Sequence, residues 1–416
     1  MTSSTPRILL HSGWNRYNFG DVAHTPGFLR LLEQYIPEAQ VRLWMKSYPE
    51  WLSGYIGKRF PQVECFEGRL GGSHGPIDPV VEEAFDWADL FVFNSGPVFN
   101  YGHELIPGGP VVTEGWRGFD WNATMAPAAK LYYARSKGVP FGLFGQSFIH
   151  IAPPADIVLA DILSQAAFLT TRETDSLAYL RQMGVDAPDM AFAPDAAWAF
   201  DLQDDEHVVP WLRRLGLEDG NYLAVTTRYA PRGVDEGYDR EKQLAFFGRV
   251  ITDWVETTGL PVLLIPEMAR TIQLNRELVY DPLPDRVKQH VILDDSIWSP
   301  AEEFWTPDQA QSVISRACCY LNVDHHGTLQ GMGGAGTPCV HAPQPQAGRK
   351  AWVYRDIGLE DWLFDLYADD PAAVSRSLIE IQRDPLAARQ RVAAAVDIVR
   401  KTHADRMTSI RRLLGL

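Results

Sequence analysis

Little in this chain points to oxidising surroundings. Its 416 residues hold four cysteines, Cys65, Cys318, Cys319 and Cys339, with no C-x-x-C pair and no metal-ligand spacing. A disulfide framework and a structural zinc site are both left without support. The adjacent Cys318 and Cys319 lie in an apolar run and read as packing residues. Long apolar runs are also missing, and none approaches the ~20 residues that span a membrane. The opening stretch, MTSSTPRILLHSGW, has too short an apolar core for a signal peptide. Together these absences predict a cytoplasmic protein with reduced thiols. Positive charge is scarce as well, with 38 Lys and Arg against 53 Asp and Glu, a net charge of −15. Such a surface repels phosphate backbones, so nucleic acid is not a predicted partner. An anionic small substrate would need a local basic pocket against that field.

What is present describes an ordinary globular chain, 46% hydrophobic and 22% charged. At ~100–200 residues per domain the length predicts two domains. The most informative stretch is 317–343, ACCYLNVDHHGTLQGMGGAGTPCVHAP. Residues 318–323 form a short apolar run, a predicted buried strand. Asp324, His325 and His326 follow at its C-terminal end, and 329–336 are small residues that can pack closely as a helix. In an open α/β sheet ligands bind at the carboxyl ends of strands, beside helix starts. The two imidazoles and a carboxylate therefore mark a candidate site.

The same arrangement recurs along the chain. Residues 7–11 predict a first strand, followed by a polar turn with Asn18, Gly20 and Asp21 and then a helix. Exposed amides at that helix start can hold an anion, although the residues alone fit a well-capped turn equally well. The turn is not G-x-G-x-x-G, so a dinucleotide fingerprint is absent. Strands at 40–44, 63–66, 89–93 and 139–144 follow, the third ending in Asn94-Ser95-Gly96. Residues 98–124 read as a long loop of the kind that forms substrate lids. Its Tyr101, Trp116 and Trp121 either stack on a sugar ring or cover the core. Arg172 sits where a strand meets a helix start, placed to fork onto a carboxylate or phosphate or to pair with Glu173 or Asp175. Asp195 interrupts an apolar run and is either a paired structural group or a site residue.

Residues 201–207, DLQDDEH, lack periodicity and read as a linker. A second series of strands and helices begins at 221, with a strand ending at Arg228, another ending at Pro266-Glu267, and a third at 290–294. Residues 385–414 form one long helical pattern. The predicted fold is α/β: two Rossmann-like domains facing a cleft (1–205 and 206–390), with a C-terminal helix (391–416) packing back.

The order of these turns resembles the polysaccharide pyruvyl transferase family along almost the whole chain. Asn18-Phe19-Gly20-Asp21 is similar to its N-x-G-D. Asn94-Ser95-Gly96 falls where its glycine-rich loop sits, and 140–146 looks like its second strand-turn. Arg172-Glu173-Thr174-Asp175-Ser176, with Leu180 and Gly184, is similar to R-[DE]-x-x-S…L…G, and Asp195 matches the Asp that follows. His326 with Gly336-Thr337-Pro338 falls on R-L-H…G-T-P, and Lys350 with Gly358-Leu359 on K…G-L. The resemblance implies a GT-B-like pair of Rossmann-like domains. It also implies transfer of a pyruvyl group from phosphoenolpyruvate to a glycan or polyol acceptor, with no cofactor. His326 would be the acid, Arg172 an anion clamp and Lys350 a phosphate contact. Asp21 and Asp195 are candidates for base or acceptor contact. Asn18, Gly20, Ser95, Gly96, Arg228, Asp324 and His325 complete the candidate substrate-binding set.

One position departs from the pattern: Asp324 stands where the family has an Arg two residues before its His. At ~4 Å and an effective dielectric near 20, a unit-charge contact is worth roughly 4 kcal/mol before screening, and here its sign is reversed. Arg228, Arg270 or Arg349 would have to compensate, or the donor differs. No metal is predicted, because adjacent ligands such as Asp324, His325 and His326 rarely all point one way. A GT-B glycosyl transferase using a nucleotide sugar and a non-catalytic binding protein are the alternatives.

Overall fold

The structure is a computed structural model. It describes residues 5–13, 15–45, 49–71, 75–96, 98–99, 121–148, 151, 153–228, 239–294, 296, 304–344 and 350–416, with the backbone alone at 49, 121–125 and 270. Tyr101, Trp116 and Arg349, and the side chains of Trp121 and Arg270, lie outside the described residues.

Seven strands form the first sheet: β1 (Arg7–Ser12), β2 (Gln40–Met45), β3 (Glu64–Phe66), β4 (Leu90–Gly96), β5 (Phe141–Gln146), β6 (Phe168–Thr171) and β7 (Met190–Phe192). They pair in parallel in the order β3-β2-β1-β4-β5-β6-β7. Five more form the second: β8 (Leu223–Thr226), β9 (Val262–Leu264), β10 (Val291–Ile292), β11 (Cys319–Asn322) and β12 (Cys339–His341), in the parallel order β10-β9-β8-β11-β12. Parallel strands are buried on both faces, which is why they read as continuous apolar runs. Alternation then divides the first sheet. Leu9, Phe91 and Phe93 face one apolar cluster, while Ile8, Leu10 and Val92 face the other.

The strand order reverses between β1 and β4 in one sheet and between β8 and β11 in the other. These are the two switch points, where an open parallel sheet leaves a crevice at its strand ends. A third apolar cluster joins the halves behind them, with Phe19, Ala23 and Trp198 packed together with Val225, Leu264 and Leu329. The backbone carbonyl of Trp198 lies so close to Gly333 that a Cβ there would approach it to 2.3 Å. The small-residue helix His326–Ala335 is therefore what lets the halves meet.

The helix Pro385–Leu413 spans both halves. Val392, Ala395 and Val399 join the cluster between the sheets, and Met407 and Ile410 pack beneath the first sheet.

Two sequence expectations are corrected. The stretch 201–207 is not all linker, because a helix starts at Asp205 (Asp205–Arg214) and buries Val208, Trp211 and Leu212. Asp205 and Glu206 fall in its first turn, where carboxylates suit the helix dipole, so an acidic segment is also a helix start. The loop expected over 98–124 ends early, since the helix Trp121–Ser136 begins before its apolar residues Ala128, Leu131 and Ala134.

Candidate active site

Arg172, Asp195, Arg228 and Asp324 each lie within three residues of a strand end. After β1 comes the helix Phe19–Tyr35, whose cap is Asn18; its side chain accepts from the Asp21 amide at 3.2 Å. The cap residue also forms an isolated antiparallel bridge to Met268, and the Phe19 amide donates to the Glu267 carbonyl at 3.1 Å. This helix start is thus tied to the second sheet. Gly20 explains how closely: a Cβ there would lie 2.3 Å from the Cβ of His326 and 2.7 Å from Glu267 Oε1. Any side chain at that position would push His326 away.

Behind this contact lies a chain of buried groups that crosses from one half to the other. Arg172, after β6, donates from Nη1 to Asp195 Oδ2 at 2.8 Å, and Asp195 lies after β7. The other oxygen, Oδ1, is 2.8 Å from His24 Nδ1 and accepts the Ala197 amide at 2.9 Å. His24 Nε2 stands 3.0 Å from His326 Nε2, and the rings meet edge to face. His326 Nδ1 in turn lies 3.6 Å from Asp21 Oδ1 and 3.8 Å from Glu267 Oε1. The Arg172 pairing offered by the sequence is corrected here. The guanidinium is 1% exposed, not a surface group, and its direct carboxylate partner is Asp195, with Glu173 at 3.8 Å.

Burial sets the charges. It would raise the Asp195 carboxyl, but His24, Arg172 and His326 outweigh it and hold the group well below the usual range. Burial pushes His326 far below an ordinary imidazole, with His24, Arg172 and Lys350 acting in the same direction, so it is neutral. His325 is likewise pushed well down by burial, then by Arg172. The Glu267 carboxyl is raised well above normal by burial and then by Asp324, and Asp21 is raised by burial, with Asp324 adding to the effect. Glu173, between the Ser147 and Ser176 hydroxyls, is raised to about 7 by burial.

The second-sheet side differs. Asp324 Oδ1 accepts from Arg228 Nη1 at 2.6 Å, with Lys350 Nζ 3.8 Å away. Burial is again outweighed, here by Arg228 and then Lys350, and Asp324 stays ionised. Lys350 is lowered to about 8, by burial first and then by Arg228. Arg228 therefore neutralises Asp324 and spends the nitrogen Nη1 on that pair.

The other candidates fall into place around these groups. Ser95 is buried; its hydroxyl donates to Asn94 Oδ1 at 3.1 Å and accepts the Ala196 amide at 3.4 Å. Gly96 continues β4 beside Gln146. The Asn94 amide donates to the His24 carbonyl at 2.9 Å and to Ser12 at 3.1 Å. Two residues were not assigned from sequence. His24 sits inside a helix between Ala23 and Thr25, one turn after Asp21, and that i,i+3 spacing was the available signal. Glu267 follows the apolar strand end at Pro266, and its Oε2 accepts from Asn322 at 3.0 Å and from the Gly327 amide at 3.1 Å.

Asp21, His24 and His326 lie close enough to share an ion, as do Glu267, Asp324 and His326. In the first group the His24 and His326 Nε2 atoms face one another and not a common centre. In the second, Asp324 is already neutralised by Arg228. Neither set is a cation site of the kind that presents converging lone pairs.

Two parallel sheets with charged groups gathered at their strand ends make a GT-B-like architecture. The chain belongs to the polysaccharide pyruvyl transferase family, whose model matches residues 18–340. Among solved structures it is similar to HepE from Anabaena in complex with UDP-glucose, at 12% identity over 99% of this chain and 100% of that one, TM-score 0.57. It is also similar to MnaA from S. aureus with UDP, at 11% identity over 94% of this chain and 91% of that one, TM-score 0.54. The glycotransferase of kitacinnamycin gives 14% identity over 99% and 100%, TM-score 0.53. At these identities the likeness is one of fold. No curated protein sequence matches.

Proposed function

We propose that the protein transfers a pyruvyl group from phosphoenolpyruvate to a sugar or related polyol acceptor, in the cytoplasm. The observation that carries this reading is one atom, Arg172 Nη2. It is buried and has no hydrogen-bond partner among the described residues, while Nη1 is fixed by Asp195 and lies 3.5 Å from His326 Nε2. An unpaired guanidinium N–H in a buried site is costly unless an anion completes it, and a carboxylate or phosphate fits that edge. Lys350, with its pKa near 8, is still largely cationic at neutral pH and supplies a phosphate contact.

The reaction needs a proton on the methylene carbon of the donor, which leaves an oxocarbenium at C2. An acceptor hydroxyl then adds to C2 and its proton passes to a base; phosphate leaves C2 taking up one proton, and a second acceptor hydroxyl adds in its place and loses its own proton, which closes the ketal. His326 and Asp21 handle the protons, and Asp195 holds Arg172 and His24 from behind. Asn18, Gly20, Ser95, Gly96 and His325 shape the pocket wall.

A second reading is favoured by the Arg228–Asp324 pair. It removes a cation and adds a carboxylate on one side of the cleft, which suits a donor other than phosphoenolpyruvate, such as a nucleotide sugar. Thermal unfolding with phosphoenolpyruvate, then with nucleotide sugars and bare nucleotides, separates the two. A ligand at ~100 times its Kd adds about 2.7 kcal/mol to the folded state. Stabilisation by phosphoenolpyruvate alone supports pyruvyl transfer, and stabilisation by nucleotides alone replaces it with the second reading.

A further inference from the structure

A cavity of about 610 Å³ lies among elements that carry site residues, yet it shares no lining residue with the candidate active site. Its size falls within the roughly 300–1,000 Å³ of small-molecule sites. Its walls come from the last turns of the helix Phe19–Tyr35, from Trp198 in the short turn Ala196–Ala199 after Asp195, and from the C-terminal helix Pro385–Leu413. Gly333, on the helix that begins at His326, also lines it.

Two of the lining groups have hydrogen-bonding capacity to spare. Trp198 is 4% exposed, and its Nε1–H is buried with no partner among the described residues. A buried indole N–H ordinarily finds an acceptor, and leaving that bond unmade is costly. His403 is 2% exposed, and its Nε2 donates to the Pro194 carbonyl at 2.8 Å. Burial keeps the ring neutral, so Nδ1 is left as an acceptor, and no hydrogen bond reaches it among the described residues. The lining charges, by contrast, are spent. Arg30 donates to Asp201 from Nε at 2.7 Å and from Nη2 at 2.8 Å, and to Glu33 from Nη1 at 2.8 Å. Arg400 is exposed, where water solvates it. What remains is a neutral donor, a neutral acceptor and the Gln34 amide, which does both.

We propose that this cavity is a second, non-catalytic binding site for a hydroxylated ring, a neutral sugar unit. A hydroxyl donates and accepts at once, so one ring oxygen substituent accepts from Trp198 Nε1 and another donates to His403 Nδ1. The C–H face of the ring lies on the apolar lining, Leu31 and Val396. The frame of the site meets the frame of the cleft, because the Trp198 amide donates to the Asp195 carbonyl at 3.1 Å and His403 is fixed to Pro194. The proposal does not depend on which donor the cleft takes.

The test reads Trp198 directly. In full-length protein carrying ¹⁵N in its 13 Trp indoles, the Trp198 Nε1–H signal is assigned through Trp198→Phe. The probes are the methyl glycosides of glucose, galactose and mannose. Tetrahydropyran, the same ring without hydroxyls, and acetate serve as apolar and anionic controls. At least one glycoside should move the signal saturably, with a Kd of about 1–10 mM, as suits a single ring. Gln34 is exposed, so Gln34→Trp is tolerated by the fold while its bulk fills the cavity, and it should weaken that binding about tenfold or more. No response to any glycoside up to about 100 mM, a response that survives Gln34→Trp, or an equal response to tetrahydropyran or acetate would each overturn the proposal.

Discussion

The cleft holds two Asp–Arg pairs, one on each side, and they do opposite things. On the first side Asp195 grips a single nitrogen of Arg172, with both side chains 1% exposed, and Arg172 Nη2 remains open. On the second, Asp324 takes Arg228 at 2.6 Å and draws in Lys350. The first pair orients a cation for use, and the second cancels one. The same two residue types therefore leave a guanidinium nitrogen without a partner among the described residues on one side and a carboxylate between two cations on the other. The difference lies in what else each carboxylate must hold: Asp195 also serves His24 and a backbone amide, and Asp324 serves two cations.

The largest effect should come from breaking the first pair. Arg172→Met leaves Asp195 buried without its cation and should lower stability by about 3–5 kcal/mol in urea unfolding. Arg228→Met, on the more exposed pair, should cost clearly less.

Acid should act on both sides at once. His403 donates to the Pro194 carbonyl beside Asp195, and His341 to the Asn322 carbonyl beside Asp324. Burial lowers each to about 4. Below an ordinary histidine pKa the unfolded chain takes up protons that these two folded-state histidines refuse, so their contribution to stability falls as pH drops from 6.5 towards 4. Each group accounts for roughly 3 kcal/mol over that window. Glu173 and Glu267, whose carboxyls burial raises, act in the opposite sense, so the histidine part is read as the difference in pH dependence of the melting temperature between the unaltered protein and His403→Gln or His341→Gln, and no difference would contradict it. His403→Gln should remove the part belonging to the Asp195 side.

Gly20→Ala tests the close approach that seats His326. The added carbon meets the His326 Cβ at 2.3 Å, and the resulting shift should cost about 1–3 kcal/mol and slow turnover. The smallest effect on stability, roughly 1 kcal/mol, belongs to Asp324→Asn, which keeps an acceptor but frees Arg228. If phosphoenolpyruvate is the donor, this variant should bind it about tenfold more tightly in titration calorimetry.

Much of this was legible in the sequence because strand ends announce themselves. An apolar run followed by a polar turn located Asn18, Asn94, Arg172, Arg228 and the Asp324-His325-His326 group. Asp195 stood out as a carboxylate in apolar company. The partners within the site were not legible. His24 lies inside a helix, where no turn chemistry marks it, and its meeting with His326 joins positions 302 residues apart. Glu267 reads as a polar residue after a proline, and only the β8–β9 pairing brings it beneath Gly20 and Gly327. The direction of Arg228 was hidden for the same reason, since charge alone does not say which neighbour a long side chain meets first.

The most direct measurement is titration calorimetry of phosphoenolpyruvate against the unaltered protein, Arg172→Met and Arg228→Met. The asymmetry of the two pairs predicts that binding is lost with Arg172 and nearly unchanged with Arg228. Loss with Arg228 and retention without Arg172 would contradict it, and would move the anion site to the other wall of the cleft.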